Sequence, residues 1–370
     1  MKRELNGKKV ISFQKLLEIH RDYAVVVCAG SNYTEEICEQ LENEGIEDYF
    51  DYNVIVSMGQ NVSALMEQLQ NEQGRDRVFK NYYKQLAKRT KGQFEYLKRH
   101  TDITALKPAE GSLRTKQMEL LNLVKEFLGH IEALEIRPFL TFGNLIGALR
   151  HKGFIPWDDD MDFGLFRYEV DRILNFAAQN CIVGTRCGTK GCEVWVSEEG
   201  EKHLWSEISH LYPSQYIFDV RSDVIQIYQS AYSCEQPFMD IWVFDFYQDG
   251  YDMAMHRKWL EKAADELRSI ENEKDKVTYL RKIRQNNPMI SMDLTENIFP
   301  GVDNFGGHPG RKNVMEWIPA RSIFPLQKVV FENLEFWAPN DMEAFLGYEY
   351  SDYMSLPYDI GFPHHNRAEI

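Results

Sequence analysis

Between Phe139 and Leu165 the chain reads FLTFGNLIGALRHKGFIPWDDDMDFGL, with Asp158, Asp159, Asp160 and Asp162 set among apolar residues. No other segment restricts the fold as much. Phe139 to Phe142 reads as a strand, and Gly143-Asn144 turns into a short helix that Gly153 ends. Pro156 forces Ile155 into an extended conformation, so Trp157 to Leu165 is predicted as a second strand. Alternate side chains on a strand share a face, which places Asp158, Asp160 and Asp162 on one side and Asp159 on the other. Three carboxylates on one face, spread over about 14 Å at strand rise, repel each other. Such a cluster calls for a cation or a proton to offset it. Hard oxygen donors, with no thiol or paired histidine nearby, favour Mg²⁺ or Mn²⁺. The bland alternative is a solvated acidic loop, but Ile155, Trp157, Phe163 and Leu165 place these acids beside a core.

The turn at Gly143-Asn144 opens a helix, and the N–H groups of a helix N-terminus attract anions. Arg150, His151 and Lys152 add positive charge close by. An anion-binding turn, metal carboxylates and cationic side chains together describe a site for a phosphate ester with a divalent metal. Overall charge fits a small-molecule substrate better than a polyanion. The 370 residues carry 42 Lys and Arg against 57 Asp and Glu, a formal net charge of −15, which argues against general nucleic-acid binding. The six cysteines form no C-x-x-C pair, and the spacing of Cys181, Cys187 and Cys192 matches no standard zinc pattern. They read as reduced thiols of a cytosolic protein. Met1 to Val10 is polar and basic, unlike a secretory leader, and no apolar run reaches membrane-spanning length.

Three regions are predicted. Residues 1–70 form a small α/β module: a strand over Tyr23 to Ala29, a turn at Gly30-Ser31-Asn32, a helix from Thr34 that Gly45 closes, and a strand over Tyr52 to Val56. It is only partly Rossmann-like, since no G-x-G-x-x-G is present to cradle a pyrophosphate. Residues 71–110 read as a basic helical linker whose aromatic face packs on the next domain, in preference to a lipid-docking helix. Residues 111–370 form the domain that carries the chemistry. It opens with an amphipathic helix from Leu113 through Ile131, and a further helix is expected from about Tyr251 to Arg284.

The block Gly143-Asn144-Leu145-Ile146-Gly147-Ala148-Leu149-Arg150-His151-Lys152-Gly153-Phe154-Ile155-Pro156-Trp157-Asp158-Asp159-Asp160-Met161-Asp162 resembles the signature of the LicD family, which includes fukutin and the fukutin-related proteins. Pro237 to Asp245, Phe324-Pro325-Leu326 with Val329 to Glu332, and Phe345 to Tyr348 with Asp352 to Pro357 resemble further segments of that family. The resemblance covers roughly residues 110–370. It implies an α+β fold with a nucleotidyltransferase-like mixed sheet flanked by helices. It also implies a phosphotransferase that moves a phospho-alcohol, such as phosphocholine or an alditol phosphate, from a CDP-linked donor to a glycan or glycolipid hydroxyl. By the same resemblance Asp160, Asp162 and Asp240 are the catalytic carboxylates, and with Asp158 they hold Mg²⁺ or Mn²⁺. Gly143 and Asn144 hold donor phosphate, and Arg150 and Lys152 contact the donor or leaving group. His364 and His365 read equally as a pair reaching the site or as a tail beyond Pro363, and His365 is carried as a substrate contact.

Two departures stand out. Asn144 replaces a small hydroxyl residue, and Trp242-Val243 replaces an apolar-Pro step. Residues 176–236 are idiosyncratic and are assigned to the acceptor side. The implied setting is cell-surface glycan, lipopolysaccharide or teichoic-type biosynthesis, in the cytoplasm or peripherally at the inner membrane face. Residues 1–100 are free to serve an oligomer or a partner enzyme. The alternatives are a nucleotidylyltransferase on a small substrate and a non-catalytic adaptor. The alcohol, the nucleotide base, the acceptor sugar and the general base are left open.

Overall fold

The computed structural model describes residues 4–5, 8–9, 11–20, 25–27, 37–38, 40–46, 49–51, 72–187, 194–197, 200–221, 224–229, 237–271, 273–284, 287–301, 317–350 and 352–357. The chain divides into two compact units, Met1–His100 and Thr101–Ile370.

In the first unit, β1 (Glu4–Leu5) pairs antiparallel with β2 (Lys8–Lys9). Helix α1 (Phe13–Ile19) is capped by Ser12, whose hydroxyl accepts the Lys15 N–H. Strands β3 (Val25–Val27) and β4 (Tyr49–Asp51) run parallel, as a strand–helix–strand unit requires. The turn expected at Gly30-Ser31-Asn32 and the strand expected at Tyr52 to Val56 lie outside the described residues. Alternation along these two short strands serves two layers. Val25, Val27 and Tyr49 join Phe13, Leu16 and Leu17 of α1 on one face. Val26 and Phe50 face the other way and meet Val78, Tyr82 and Leu86 of α2 (Glu72–His100), three residues spaced four apart on one helical stripe. This stripe was expected to pack on the following domain. The structure shows its N-terminal half packed on β4, because Phe50 needs a cover on the face that α1 leaves open.

The second unit opens with α3 (Gly111–His130), β5 (Phe139–Leu140), α4 (Phe142–Arg150), β6 (Met161–Phe166) and α5 (Arg167–Asn180). Next come β7 (Ile182–Cys187), β8 (Val194–Ser197), β9 (Lys202–Leu204), α6 (Trp205–Leu211), β10 (Tyr216–Val220), β11 (Val224–Gln229) and β12 (Phe238–Tyr247). The remainder is α7 (Met253–Ser269), α8 (Glu273–Arg284), β13 (Ile290–Ser291), β14 (Ile298–Pro300), α9 (Ala320–Ile323), β15 (Gln327–Phe331), β16 (Leu334–Ala338) and α10 (Met342–Glu349). One mixed sheet runs β15-β16-β5-β6-β12-β11-β10-β7-β8-β9, with β13 and β14 also pairing with β12. The pairs β6/β12, β5/β16 and β7/β10 are parallel and the other pairs are antiparallel. Helices and a mixed sheet in one unit make the class α+β. The single helix expected over 251–284 is two, because the backbone turns extended at Ile270.

The register of this sheet sorts its two faces. One face carries Met161, Phe163 and Leu165 of β6 beside Met239, Ile241 and Val243 of β12, with Ile225 and Ile227 of β11. Phe218 of β10 lies on the same face and meets Phe127 of α3, with ring centroids 5.8 Å apart. The opposite face carries Asp162, Asp240, Gln226 and Asp219 in one row across β6, β12, β11 and β10. A core on one side and a polar row on the other is the basis of the site.

Candidate active site

Asp162 and Asp240 are register partners on the parallel strands β6 and β12. Their Cα atoms lie one strand spacing apart, about 4.8 Å, and the side chains share a face. Both residues are buried, at 8% and 4% exposure. Strand β6 begins at Met161, so Asp158, Asp159 and Asp160 belong to the loop that leads into it and not to the strand expected from Trp157 onward. Pro156 and Trp157 form a turn, and that turn delays the strand. The acids still separate as alternation predicts. Asp159 is buried and its Oδ2 accepts from Lys116 Nζ of α3 at 2.6 Å. Asp158, Asp160, Asp162 and Asp240 form the other group and act on each other electrically.

The carboxyl of Asp158 is held well above the usual range by burial, then by the charge of Asp160 and a hydrogen bond with it. Burial, Asp160 and Asp240 likewise push Asp162 up, while the Trp242 indole N–H, donated to Asp162 Oδ1 at 2.7 Å, pulls the other way. Trp242 stands two residues beyond Asp240 on the same face, so the departure from an apolar-Pro step supplies a hydrogen bond to an acid of the pair.

Helix α4 sits against this group, and Gly143 explains the fit. A Cβ at Gly143 would lie 2.6 Å from Asp158 Oδ2. Oδ2 itself is buried and has no hydrogen-bond partner among the described residues. Phe142, just before it, takes a left-handed conformation (φ 46°) that a bulky residue adopts only under constraint. Its ring packs edge-on against Trp242 with centroids 5.1 Å apart. Glu349, at the end of α10, accepts from Thr141 Oγ1 at 3.0 Å and from the Phe142 N–H at 3.3 Å. The helix N-terminus reserved by sequence for a phosphate is thus partly taken by a carboxylate of the chain itself, as its dipole favours.

Asn144 was expected to hold donor phosphate. Its side chain is fully buried and engaged at both ends: Nδ2 donates to the Asp160 carbonyl at 3.1 Å, and Oδ1 accepts the Asp162 N–H. It fixes the backbone on either side of Met161 and so sets the aim of Asp160 and Asp162. Arg150 is also buried. Its Nε donates to His151 Nε2 at 2.9 Å, NH1 donates to the Tyr353 carbonyl, and the guanidinium lies 5.8 Å from the Trp157 ring centre. Burial lowers Arg150 to about 10, and burial together with Arg150 lowers His151 to about 4, so at neutral pH the arginine is charged and the histidine is not. Lys152 is exposed in a left-handed turn (φ 58°), and its carbonyl accepts the Glu332 N–H at 2.6 Å. His364 and His365 lie outside the described residues.

Sequence reasoning missed the supports of the acidic loop. Gln117 Nε2 donates to the Asp158 carbonyl at 2.8 Å and to the Ile155 carbonyl at 3.3 Å. Arg114 grips Glu332 with two hydrogen bonds of 2.8 Å, and Glu332 Oε1 accepts the Phe154 N–H at 3.2 Å. The signal was available: Lys116 and Gln117 fall three and four positions after Leu113 and before Leu120, on the buried stripe of the helix.

The donor set is chemically that of a hard cation. Buried carboxylates that repel each other, one with an unsatisfied oxygen, are stabilised when a divalent ion offsets their charge. Among the described residues no three His, Cys, Asp or Glu side chains converge into a ready-made metal cage.

Residues 135–274 match the model of the LicD/FKTN/FKRP family, nucleotidyltransferase domain. The lipopolysaccharide cholinephosphotransferase LicD of Haemophilus influenzae is 34% identical over 141 residues, 36% of this chain and 44% of that protein. The human ribitol 5-phosphate transferase FKRP is 33% identical over 106 residues, 26% of this chain and 20% of that protein. An uncharacterised protein of Rickettsia typhi is 23% identical over 113 residues, 28% of this chain and 37% of its own length. The matched stretches therefore span less than half of each of these relatives. Residues 135–274, the stretch that matches the family model, hold Asp162, Asp240, Gly143 and the loop between α4 and β6, and this segment is similar to the LicD/FKTN/FKRP nucleotidyltransferase domain.

Proposed function

We propose that this chain is a divalent-metal-dependent transferase that moves a phospho-alcohol from a CDP-linked donor to a hydroxyl of a glycan or glycolipid. The observation that carries the reading is the Asp162–Asp240 pair, two buried carboxylates side by side on parallel strands, joined electrically to Asp160 and Asp158. The printed activities of the relatives, transfer of phosphocholine and of ribitol 5-phosphate, supply the substrate class.

The register partners Asp162 and Asp240 would hold Mg²⁺ or Mn²⁺, with Asp160 and Asp158 beside them and water and phosphate oxygens completing the shell. The bound ion would neutralise charge on the phosphoryl oxygens during an in-line displacement. The chain's own residues do the rest. Asn144 holds the backbone of Asp160 and Asp162 in one orientation. The Trp242 N–H fixes one oxygen of Asp162, which leaves the other for ligation. Lys116 pairs with Asp159 and so offsets part of the charge that Asp159 adds beside Asp158. Such preorganised supports lower the reorganisation needed at the moment of reaction. A nucleotidylyltransferase would use the same acids and differ in which phosphorus is attacked. An adaptor would have no use for buried, mutually repelling acids.

The test is thermal stability of the full chain against CDP-choline, CDP-ribitol, CDP-glycerol, CMP and UDP-sugars, each with and without Mg²⁺. A ligand at 100 times its dissociation constant adds about 2.7 kcal/mol, worth a few degrees in a chain of this size. The expected result is a Mg²⁺-dependent rise with a CDP-alcohol that Asp160→Ala abolishes. A protein indifferent to Mg²⁺ and to every nucleotide would contradict the reading.

A further inference from the structure

The polar row does not end at the acid pair. Asp240 is the register partner of Gln226 on β11, and Gln226 is the partner of Asp219 on β10. Arg186, on β7, reaches back over this row. Its NH2 donates to Gln226 Oε1 at 2.9 Å, and its Nε lies 3.4 Å from Asp219 Oδ2. The guanidinium also lies 4.6 Å from the ring centre of Trp205, the first residue of α6, and 5.9 Å from that of Tyr228. Side chains held on so many sides are fixed in place before a ligand arrives.

Charge and geometry give this arginine a use. Asp219 is fully buried and carries two guanidiniums, Arg186 and Arg221, whose Nε donates to Oδ2 at 2.8 Å. Around Asp219, one carboxylate against two cations leaves a local positive surplus at the β10–β7 end of the row. Gln226 stands about one strand spacing, 4.8 Å, from Asp240, and the guanidinium touches Gln226. The guanidinium therefore lies over Gln226, the register neighbour of Asp240 on the acid-bearing face. A guanidinium has five N–H donors, more than Gln226, Asp219 and Tyr228 use. Arg150, by contrast, is committed to His151 and the Tyr353 carbonyl.

We infer that Arg186 is the specificity-determining contact for the donor's leaving phosphate. This rests on the transferase reading above. In that reaction the acceptor oxygen forms a bond to the alcohol-bearing phosphorus. The bond from that phosphorus to the bridging oxygen breaks, and its electron pair leaves with the nucleoside monophosphate. The acceptor proton passes to a carboxylate or to solvent. Negative charge thus grows on the leaving phosphate, where a fixed guanidinium is worth more in the transition state than before it.

The experiment compares full-length wild type, Arg186→Gln, Arg186→Lys and Arg221→Gln in Mg²⁺. Turnover of CDP-choline and CDP-ribitol is read together with the dissociation constants of CMP and phosphocholine. Arg186→Gln is expected to weaken CMP about tenfold and lower kcat about a hundredfold, with phosphocholine affinity unchanged. Arg186→Lys recovers part of both, and Arg221→Gln leaves the CMP-to-phosphocholine ratio as in wild type. Equal weakening of both products, or the same ratio change in both glutamine variants, would overturn the role of Arg186 and leave the transferase reading standing. A wild type that neither turns over a CDP-alcohol nor binds CMP would sink the transferase reading and this inference with it.

Discussion

A hydrogen atom at Gly143 decides whether Asp158 keeps its place, since a methyl group there would meet Asp158 Oδ2 at 2.6 Å. Gly143→Ala is expected to cost more in turnover than in stability, because the carboxylate moves before the helix does. Comparing kcat with melting temperature checks it. Asp162→Asn makes a sharper case. Burial and three neighbouring acids oppose the charge of Asp162, and the Trp242 N–H can donate to an amide oxygen as well as to a carboxylate. A carboxylate whose folded pKa is raised destabilises the fold as pH rises above its unfolded value near 3.9. The asparagine variant should therefore match or exceed wild type in Mg²⁺-free melting temperature at pH 7, while losing turnover about a thousandfold and the thermal response to Mg²⁺. A lower Mg²⁺-free melting temperature would contradict the account of the cluster. At this scale the sequence drew attention to the acids, and for Asn144 it suggested a phosphate contact where the structure shows an amide bonded to the backbone of Asp160 and Asp162. The residue type suits a phosphate contact and an amide brace equally, and only the backbone of Asp160 and Asp162 lying against it decides between them.

Helix α3 shows what spacing alone can and cannot reveal. Its apolar stripe was legible from Leu120 to Ile131, and the helix forms as the spacing requires. Lys116 and Gln117 lie on the same stripe, one paired with Asp159 and the other donating to the Asp158 and Ile155 carbonyls. A buried lysine one turn from a leucine is itself a signal that a carboxylate must meet it. Lys116→Met removes that partner and leaves Asp159 buried and uncompensated, at a cost of about 3–5 kcal/mol. Lys116→Met combined with Asp159→Leu removes both charges and should recover most of that loss. Chemical denaturation of the single and double variants measures the coupling. Additive losses would show that the pair does not support the loop. Strand β6 teaches the converse. Its apolar pattern was legible and its start was not, because the Pro156-Trp157 turn competes with strand pairing over Asp158 to Asp160.

Across the whole molecule, the α+β class was expected from the resemblance of the Gly143 to Asp162 block to a known family and the clustering of the acids from their spacing, while the order of the sheet was legible from neither. Pairing of β6 with β12 joins Asp162 to Asp240 across more than seventy residues, and no periodicity within either strand specifies such a register. Likewise, no helix among the described residues is long and apolar enough to cross a membrane. One global property is set far from the acids. His256 of α7 is fully buried among Tyr247, Tyr251, Phe299 and Trp317, and burial lowers it to about 4. The unfolded chain, with histidine near 6.5, binds a proton that the folded chain refuses. Stability is thus complete above about pH 6.5 and falls as pH drops toward 4, by about 3 kcal/mol for this residue. His256→Phe should flatten that part of the profile relative to wild type in urea titrations at stepped pH. An unchanged slope would show that the ring is not the source.

The proposed reaction attacks the alcohol-bearing phosphorus of a CDP-alcohol and not the nucleotide phosphorus. It can be measured without knowing the acceptor, by letting the full chain hydrolyse CDP-choline slowly in ¹⁸O-labelled water with Mg²⁺ and weighing both products. The account predicts label in phosphocholine, none in CMP, and no release by Asp240→Asn. Label in CMP would place the attack on the nucleotide phosphorus and make the chain a nucleotidylyltransferase.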